Sequence, residues 1–232
     1  MSKLLSMRAG LAALLLFCAA GQLCAETVAV DAPRQAWQVR REALFTALSN
    51  KDHAKADAAL DKALTDFEKN QFALTPMEAM DLYGVFYVPH EGEKNMPAVL
   101  KVVAMQAVLG WYDALRFGDE SGRAEIVNNE GFFKRAFVLN GDKGLKQLLA
   151  FLDEHPDEAT QAVADGIVLA RKFRGQVDYD EHWPSAYGLT VTQCALKKAK
   201  SCPPPPALPK GQWDAAFEQA VTQVTGYYRK NR

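Results

Sequence analysis

The stretch from Ala98 to Phe117 limits the fold of this chain more than any other. Its apolar residues occupy almost every side of a helix drawn through it, and a helix that is apolar on all sides has to be buried. Lys101, Gln106 and Asp113 interrupt the stretch, which argues against a membrane span. The pattern therefore predicts the central helix of a helical domain.

The rest of the chain also has helical periodicity. Apolar residues recur at intervals of three and four, which is typical of amphipathic helices. Thr75 and Pro76 mark the N-cap and the first residue of a short helix, and Asp52 can cap another. Further helices are predicted at 34–49, 52–67, 121–128, 130–139, 143–154, 157–173, 190–200 and 212–229, while the secondary structure of 176–188 stays open.

No stretch alternates with a period of two for long enough to predict a sheet. We therefore expect an all-α fold, with one compact domain of antiparallel helices over residues 26–232. Small residues in the first two helices suit close packing of an antiparallel pair. That pair is either an ordinary helical hairpin or one unit of a helical-repeat protein.

The first 25 residues, 1–25, have the layout of a secretory signal peptide. Two basic residues open it, a short apolar run follows, and a cleavage site lies at its end. Lipidation of Cys18 or Cys24 is the alternative, but such a site needs small residues before the cysteine, where Phe17 and Leu23 stand. We expect cleavage, export and a periplasmic location.

Charge and cysteine content fit that location. The chain has 27 Lys+Arg against 28 Asp+Glu, whereas general nucleic-acid binding needs a strong basic excess. After cleavage only Cys194 and Cys202 remain, which in an oxidising compartment predict one disulfide. Closing that short loop would stabilise the fold by roughly 2.5 kcal/mol in the chain-entropy model. The proline-rich residues 203–209 predict a stiff, extended spacer.

The segment 178–183 concentrates side chains that bind or react. Its carboxylates and His182 suit a metal site or acid–base catalysis, although neighbouring loop residues rarely converge on one ion. The segment also suits a protein-binding loop with acidic groups for a basic partner and two aromatic anchors, or an ordinary solvated loop. We predict partner-binding residues at Asp178, Tyr179, Asp180, Glu181 and Trp183.

A second charged loop precedes the central helix and contains His90, Glu91 and Glu93. We predict that it extends the partner-binding surface, with a merely solvated loop as the alternative.

The sequence contains no recognisable catalytic motif. Ser121 does not match the nucleophile elbow GxSxG, so a turn or capping role is expected for Asp119 and Ser121. The sequence has no phosphate loop and no dinucleotide-binding motif. We therefore predict no catalytic residue, no cofactor and no bound metal.

The segment from Trp111 to Phe137, WYDALRFGDESGRAEIVNNEGFFKRAF, resembles small bacterial envelope proteins that are immunity partners of secreted antibacterial toxins. The nearest are the periplasmic antagonists of type VI secretion lipase or phospholipase effectors. This resemblance implies a protein that binds a cognate toxin and blocks its active-site entrance, without chemistry of its own. The competing hypotheses are an envelope scaffold or adaptor with a helical-repeat surface, and a metal-dependent hydrolase.

Overall fold

The computed structural model describes residues 73–84, 88, 92, 94–123, 130–138, 141–186, 188–197 and 204–230, together with scattered positions between 42 and 65. Within these residues every regular element is a helix. The α-helices are α1 (Pro76–Leu82), α2 (Met96–Phe117), α3 (Glu120–Arg123), α4 (Glu130–Val138), α5 (Gly141–Glu154), α6 (Pro156–Phe173), α7 (Leu189–Leu196) and α8 (Trp213–Lys230), and two short 3-10 helices cover Trp183–Ala186 and Lys210–Gln212. The predicted all-α class is confirmed for this part of the chain.

Helix α2 is the centre of the fold, as its apolar pattern predicts. The side chain of Asn95 accepts a hydrogen bond from the Ala98 backbone N–H at 3.2 Å, and the helix ends at Phe117 with Gly118 as its C-cap. Its main neighbours are α6, α8 and α1. By length and hydropathy α2 would suffice for a membrane span, but 83% of its most apolar window is buried among other helices. Its surroundings are those of a core helix.

Helices α2 and α6 approach each other very closely at Gly166. A β-carbon at this position would lie 2.4 Å from the Lys101 carbonyl oxygen and 2.9 Å from the Ala104 β-carbon. Small residues on the buried face of α6, including Ala162 and Ala170, extend the same contact. Because no side chain separates the helices here, the two backbones touch.

Two predicted helix starts are confirmed by their caps. At α1, the Thr75 backbone N–H donates to Glu78 Oε2 at 2.9 Å, and the Glu78 backbone N–H donates to Thr75 Oγ1 at 3.3 Å, which is a capping box. Farther upstream, Asp52 Oδ1 accepts a hydrogen bond from the Lys55 backbone N–H at 3.2 Å.

Some boundaries differ from those predicted. The described part of α3, Glu120–Arg123, starts one residue before the predicted 121–128, and the predicted end stays a prediction because residues 124–129 lie outside the described residues. The unassigned segment 176–188 contains one 3-10 turn, Trp183–Ala186, which is too short to produce a periodic pattern. Helix α7 covers Leu189–Leu196 and begins one residue before the predicted 190–200, of which residues 198–200 lie outside the described residues.

Several predictions fall on residues that the structure does not describe. These are the signal peptide 1–25, most of the first two helices, the residues His90, Glu91 and Glu93, and Cys202. Cys194 lies on α7, and its disulfide with Cys202 stays a prediction. Residues 204–209 form no helix, and Pro209 has φ −53° and ψ 138°, which is polyproline-type extended backbone.

Candidate functional site

A buried carboxylate organises the end of the core helix. Asp113 lies on α2 with both oxygens hydrogen-bonded and almost no solvent exposure. Its Oδ1 accepts from Arg116 Nη2 at 2.6 Å, and its Oδ2 accepts from the Tyr179 hydroxyl at 2.8 Å and from Trp183 Nε1 at 2.9 Å. These donors replace the water that a buried charge loses.

Arg116, one helical turn farther along α2, is buried with it. Its Nη2 also donates to Glu181 Oε1 at 2.6 Å. Its guanidinium carbon lies 3.8 Å from the ring centroid of Tyr112 and 4.7 and 4.6 Å from those of Phe117 and Trp213, in cation–π range. One cation is therefore shared by two carboxylates and enclosed by three aromatic rings. We call Asp113, Arg116, Tyr179, Glu181 and Trp183 the Asp113 cluster.

The same end of α2 also holds the proline-rich segment. The Leu208 backbone N–H donates to the Arg116 carbonyl oxygen at 2.7 Å, and Trp213 Nε1 donates to the Leu208 carbonyl oxygen at 2.8 Å. Two segments with little regular structure, 178–183 and 204–209, are thus fastened to one turn of the core helix.

The geometry sets the protonation of the cluster. Burial raises the pKa of Asp113 to about 6, and the charge of Arg116 with the hydrogen bonds from Trp183 and Tyr179 only partly opposes this. Burial, together with the neighbouring Asp113 charge, also raises the pKa of Tyr179 well above its usual value. Tyr179 therefore remains a hydroxyl that donates to Asp113 at neutral pH.

The structure corrects the role predicted for the two aromatic residues of 178–183. Tyr179 is 6% exposed and Trp183 is 1% exposed, so the prediction that they are surface anchors is wrong. Their polar atoms bind the buried Asp113, and hydrogen bonding to an interior carboxylate draws the rings inward. The sequence does contain a signal for this, because Asp113 and Arg116 are charged residues three apart in an apolar helix.

The acidic residues of the segment stay nearer the surface. Asp178 is exposed, and Asp180 and Glu181 are partly exposed. Asp180 Oδ1 accepts from the His182 backbone N–H at 3.0 Å, and the His182 ring lies 4.1 Å from the Phe117 ring centroid. Within the described residues, no group of three or more His, Cys, Asp or Glu side chains is placed to hold a metal ion.

A turn beside the Asp113 cluster fixes the start of α7. Asp119 Oδ1 accepts from the Gly122 backbone N–H at 2.6 Å and from Ser121 Oγ at 2.8 Å, and Ser121 Oγ accepts from the Leu189 backbone N–H at 2.8 Å. The turn role predicted for Asp119 and Ser121 is confirmed. Gly188 has φ +108°, and a β-carbon there would lie within 2.8 Å of three atoms of this turn.

Fold and site together define a helical protein with a core helix and a buried polar cluster that fastens two surface segments. The chain matches no protein-family model, no curated protein and no solved structure.

The raised pKa of Asp113 predicts a pH-dependent term in stability. Its ordinary value is 3.8 and its value in the fold is about 6, so the folded state holds a proton between these values that the unfolded state has lost. The stabilisation that this proton gives the folded state is complete below about pH 4 and is lost as the pH rises through 6. We expect the unfolding free energy of the wild type, minus that of Asp113→Asn, to fall by on the order of 3 kcal/mol from pH 4 to pH 7. Urea titrations followed by circular dichroism measure it, and a difference that is constant or rises with pH contradicts the assignment.

Proposed function

We propose that this chain is an exported protein that acts by binding another protein, and that it neutralises a secreted antibacterial toxin. One observation carries the binding role: the acidic segment around Asp180 is held in place by residues on both of its sides. Tyr179 and Trp183 are anchored to Asp113 inside the protein, while Asp178 and His182 remain exposed between and beside them. A preformed surface loses little conformational entropy on binding, which favours affinity.

The chemistry of the Asp113 cluster favours binding over catalysis. A general acid or base must reach the proton of a substrate. Both oxygens of Asp113 already accept hydrogen bonds from inside the protein, and Arg116 is directed at Asp113 and Glu181. We infer that these groups position the segment rather than react.

The charge of the segment indicates the kind of partner. Its outward groups are the carboxylates of Asp178, Asp180 and Glu181 and the imidazole of His182. Carboxylates arranged in this way complement a basic surface and raise the rate of encounter with it. The phosphate-binding cleft of a lipase or phospholipase toxin is such a surface. The toxin identity comes from the resemblance of residues 111–137 to immunity proteins and is part of the proposal.

Neutralisation can be tested in cells. The chain is co-expressed with the toxin encoded beside its gene, with residues 1–25 present or deleted. We expect growth to be rescued only when residues 1–25 are present, because the toxin and its antagonist then meet in the same compartment. Rescue without residues 1–25, or no rescue by either form, contradicts the proposal.

Binding can be tested with purified protein. We expect the double variant Asp178→Asn/Asp180→Asn to bind the toxin more than about tenfold more weakly than wild type, and to lose most of the salt dependence of binding. The matched control is Asp153→Asn/Asp165→Asn, which removes two exposed carboxylates from α5 and α6 and should bind like wild type. Equal affinity of both double variants would remove the segment from the interface.

A further inference from the structure

We propose that the exposed face of α7, with Glu120 and the acidic segment 178–181 that adjoin its start, is the docking site for a cationic amphipathic helix of the partner. This inference rests on the proposed function and names the partner element that the surface fits. It also supplies the apolar contact that Tyr179 and Trp183, being buried, do not provide.

Helix α7 presents two large apolar side chains to solvent on one face. Leu189 is 60% exposed and Leu196 is 77% exposed. They lie seven residues, or two helical turns, apart, with the exposed Thr192 and Gln193 between them on the same side. Apolar anchors at this spacing are the ones that pack against an amphipathic partner helix.

The other large apolar side chains exposed in the described residues do not form such a pair. Val138, Leu149 and Val168 are exposed one each on α4, α5 and α6. Single exposed apolar residues are ordinary on protein surfaces. Among the described helices, α7 alone carries two, and they define one face.

Hydrogen bonds place acidic groups at the start of that face. The Leu189 backbone N–H is bonded to Ser121, next to the exposed Glu120. Phe117 lies three residues before Glu120, and its ring centroid is 4.1 Å from that of His182. The His182 backbone N–H in turn donates to Asp180. The segment 117–122 therefore joins the first turn of α7 to the acidic segment 178–182.

The charge around α7 is uneven, and this selects the partner. Glu120 and the acidic residues Asp178, Asp180 and Glu181 belong to the two segments that adjoin the start of the helix. Glu181 is bonded to Arg116, and Arg123 is turned towards the carbonyl oxygen of Asp119. At the far end of α7 the sequence continues with Lys197, Lys198 and Lys200. A helix that lays apolar side chains on Leu189 and Leu196 therefore meets carboxylates beside Leu189. Lysine or arginine at that end completes the contact.

The test uses a fluorescently labelled synthetic helix of leucine and lysine in amphipathic spacing, and the same helix with glutamate in place of lysine. Fluorescence anisotropy measures binding of each to the full chain. We expect the lysine helix to bind at least about tenfold more tightly than the glutamate helix. Leu189→Ser/Leu196→Ser should weaken binding of the lysine helix by about tenfold or more, while Val168→Ser, a change at a residue 65% exposed, should leave it unchanged. Circular dichroism checks that every variant is folded.

Three outcomes would overturn the assignment. The lysine and glutamate helices bind alike, or Leu189→Ser/Leu196→Ser binds the lysine helix as well as Val168→Ser does. Alternatively, sedimentation shows a dimer of the chain that Leu189→Ser/Leu196→Ser abolishes, which would assign the face to a second copy. Failure of the proposed function gives a different result. The toxin then binds no form of the chain, whereas binding of the synthetic helix to the exposed face of α7 can still be measured. If the toxin binds Leu189→Ser/Leu196→Ser at full affinity, the proposed function stands and this inference fails.

Discussion

Replacing Arg116 with methionine is expected to destabilise the fold by about 3–5 kcal/mol at pH 8. Methionine keeps most of the side-chain volume among the rings of Tyr112, Phe117 and Trp213, but it removes the only cation bonded to Asp113 in the described structure. The Asp113 carboxylate would then be buried without a counter-charge, and breaking a buried pair by removing one partner is far more costly than losing a surface pair. Urea unfolding followed by circular dichroism gives the free energy.

A surface arginine provides the matched control for this change. Arg171 pairs with Glu218 at 2.5 Å, and both side chains are about half exposed. Exposed ion pairs contribute about 0–1 kcal/mol, so Arg171→Met should cost no more than that. Adding Asp113→Asn to Arg116→Met should recover part of the loss, because no buried charge is then left without a partner. Equal losses for the two single methionine variants would refute the role of the Asp113 cluster in stability.

Substituting Gly166 by alanine is expected to destabilise the fold by about 1–3 kcal/mol, and leucine by more. The new β-carbon would lie 2.4 Å from the Lys101 carbonyl oxygen, so α2 and α6 would have to move apart. A clash with backbone cannot be relieved by changing a rotamer. Thermal and urea unfolding measure the loss.

The control for Gly166 is a glycine in the interior of α8. A β-carbon on Gly226 would have no atom within 4 Å, and the residue is exposed. Alanine is the better helix former, so Gly226→Ala should stabilise the protein by about 0.5–1 kcal/mol. The two glycine-to-alanine changes should thus have opposite signs. Stabilisation by Gly166→Ala would show that α2 and α6 are not in contact at this point.

The Asp113 cluster explains why the sequence misassigns the two aromatic residues of segment 178–183 to a binding surface. Acidic and aromatic residues in a loop are typical of binding surfaces, and the sequence places five such residues together. Asp113 lies more than sixty residues upstream, and a local pattern carries no information on a contact across that distance. The acidic half of the segment keeps its predicted role as a proposal, whereas the aromatic half belongs to the core.

Local sequence patterns were sufficient to predict the all-α class of the fold. The all-round apolar pattern of 98–117 predicts a buried helix, and periods of three and four predict most of the other described helices. Caps such as Thr75 and Asp52 and turn residues such as Ser121 could be assigned, because each depends on atoms within a few residues of one another. Helix formation and capping are local, so the amino-acid order alone determined them.

Tertiary structure decided which residues face inwards and which face outwards. Only packing brought Tyr179 and Trp183 to Asp113, set the close crossing at Gly166, and left Leu189 and Leu196 exposed on one face of α7. Each of these depends on contacts between residues distant in sequence, whose geometry follows from how whole helices pack. Hydrophobic burial is non-directional, and the direction of each side chain was therefore settled only when the helices had assembled.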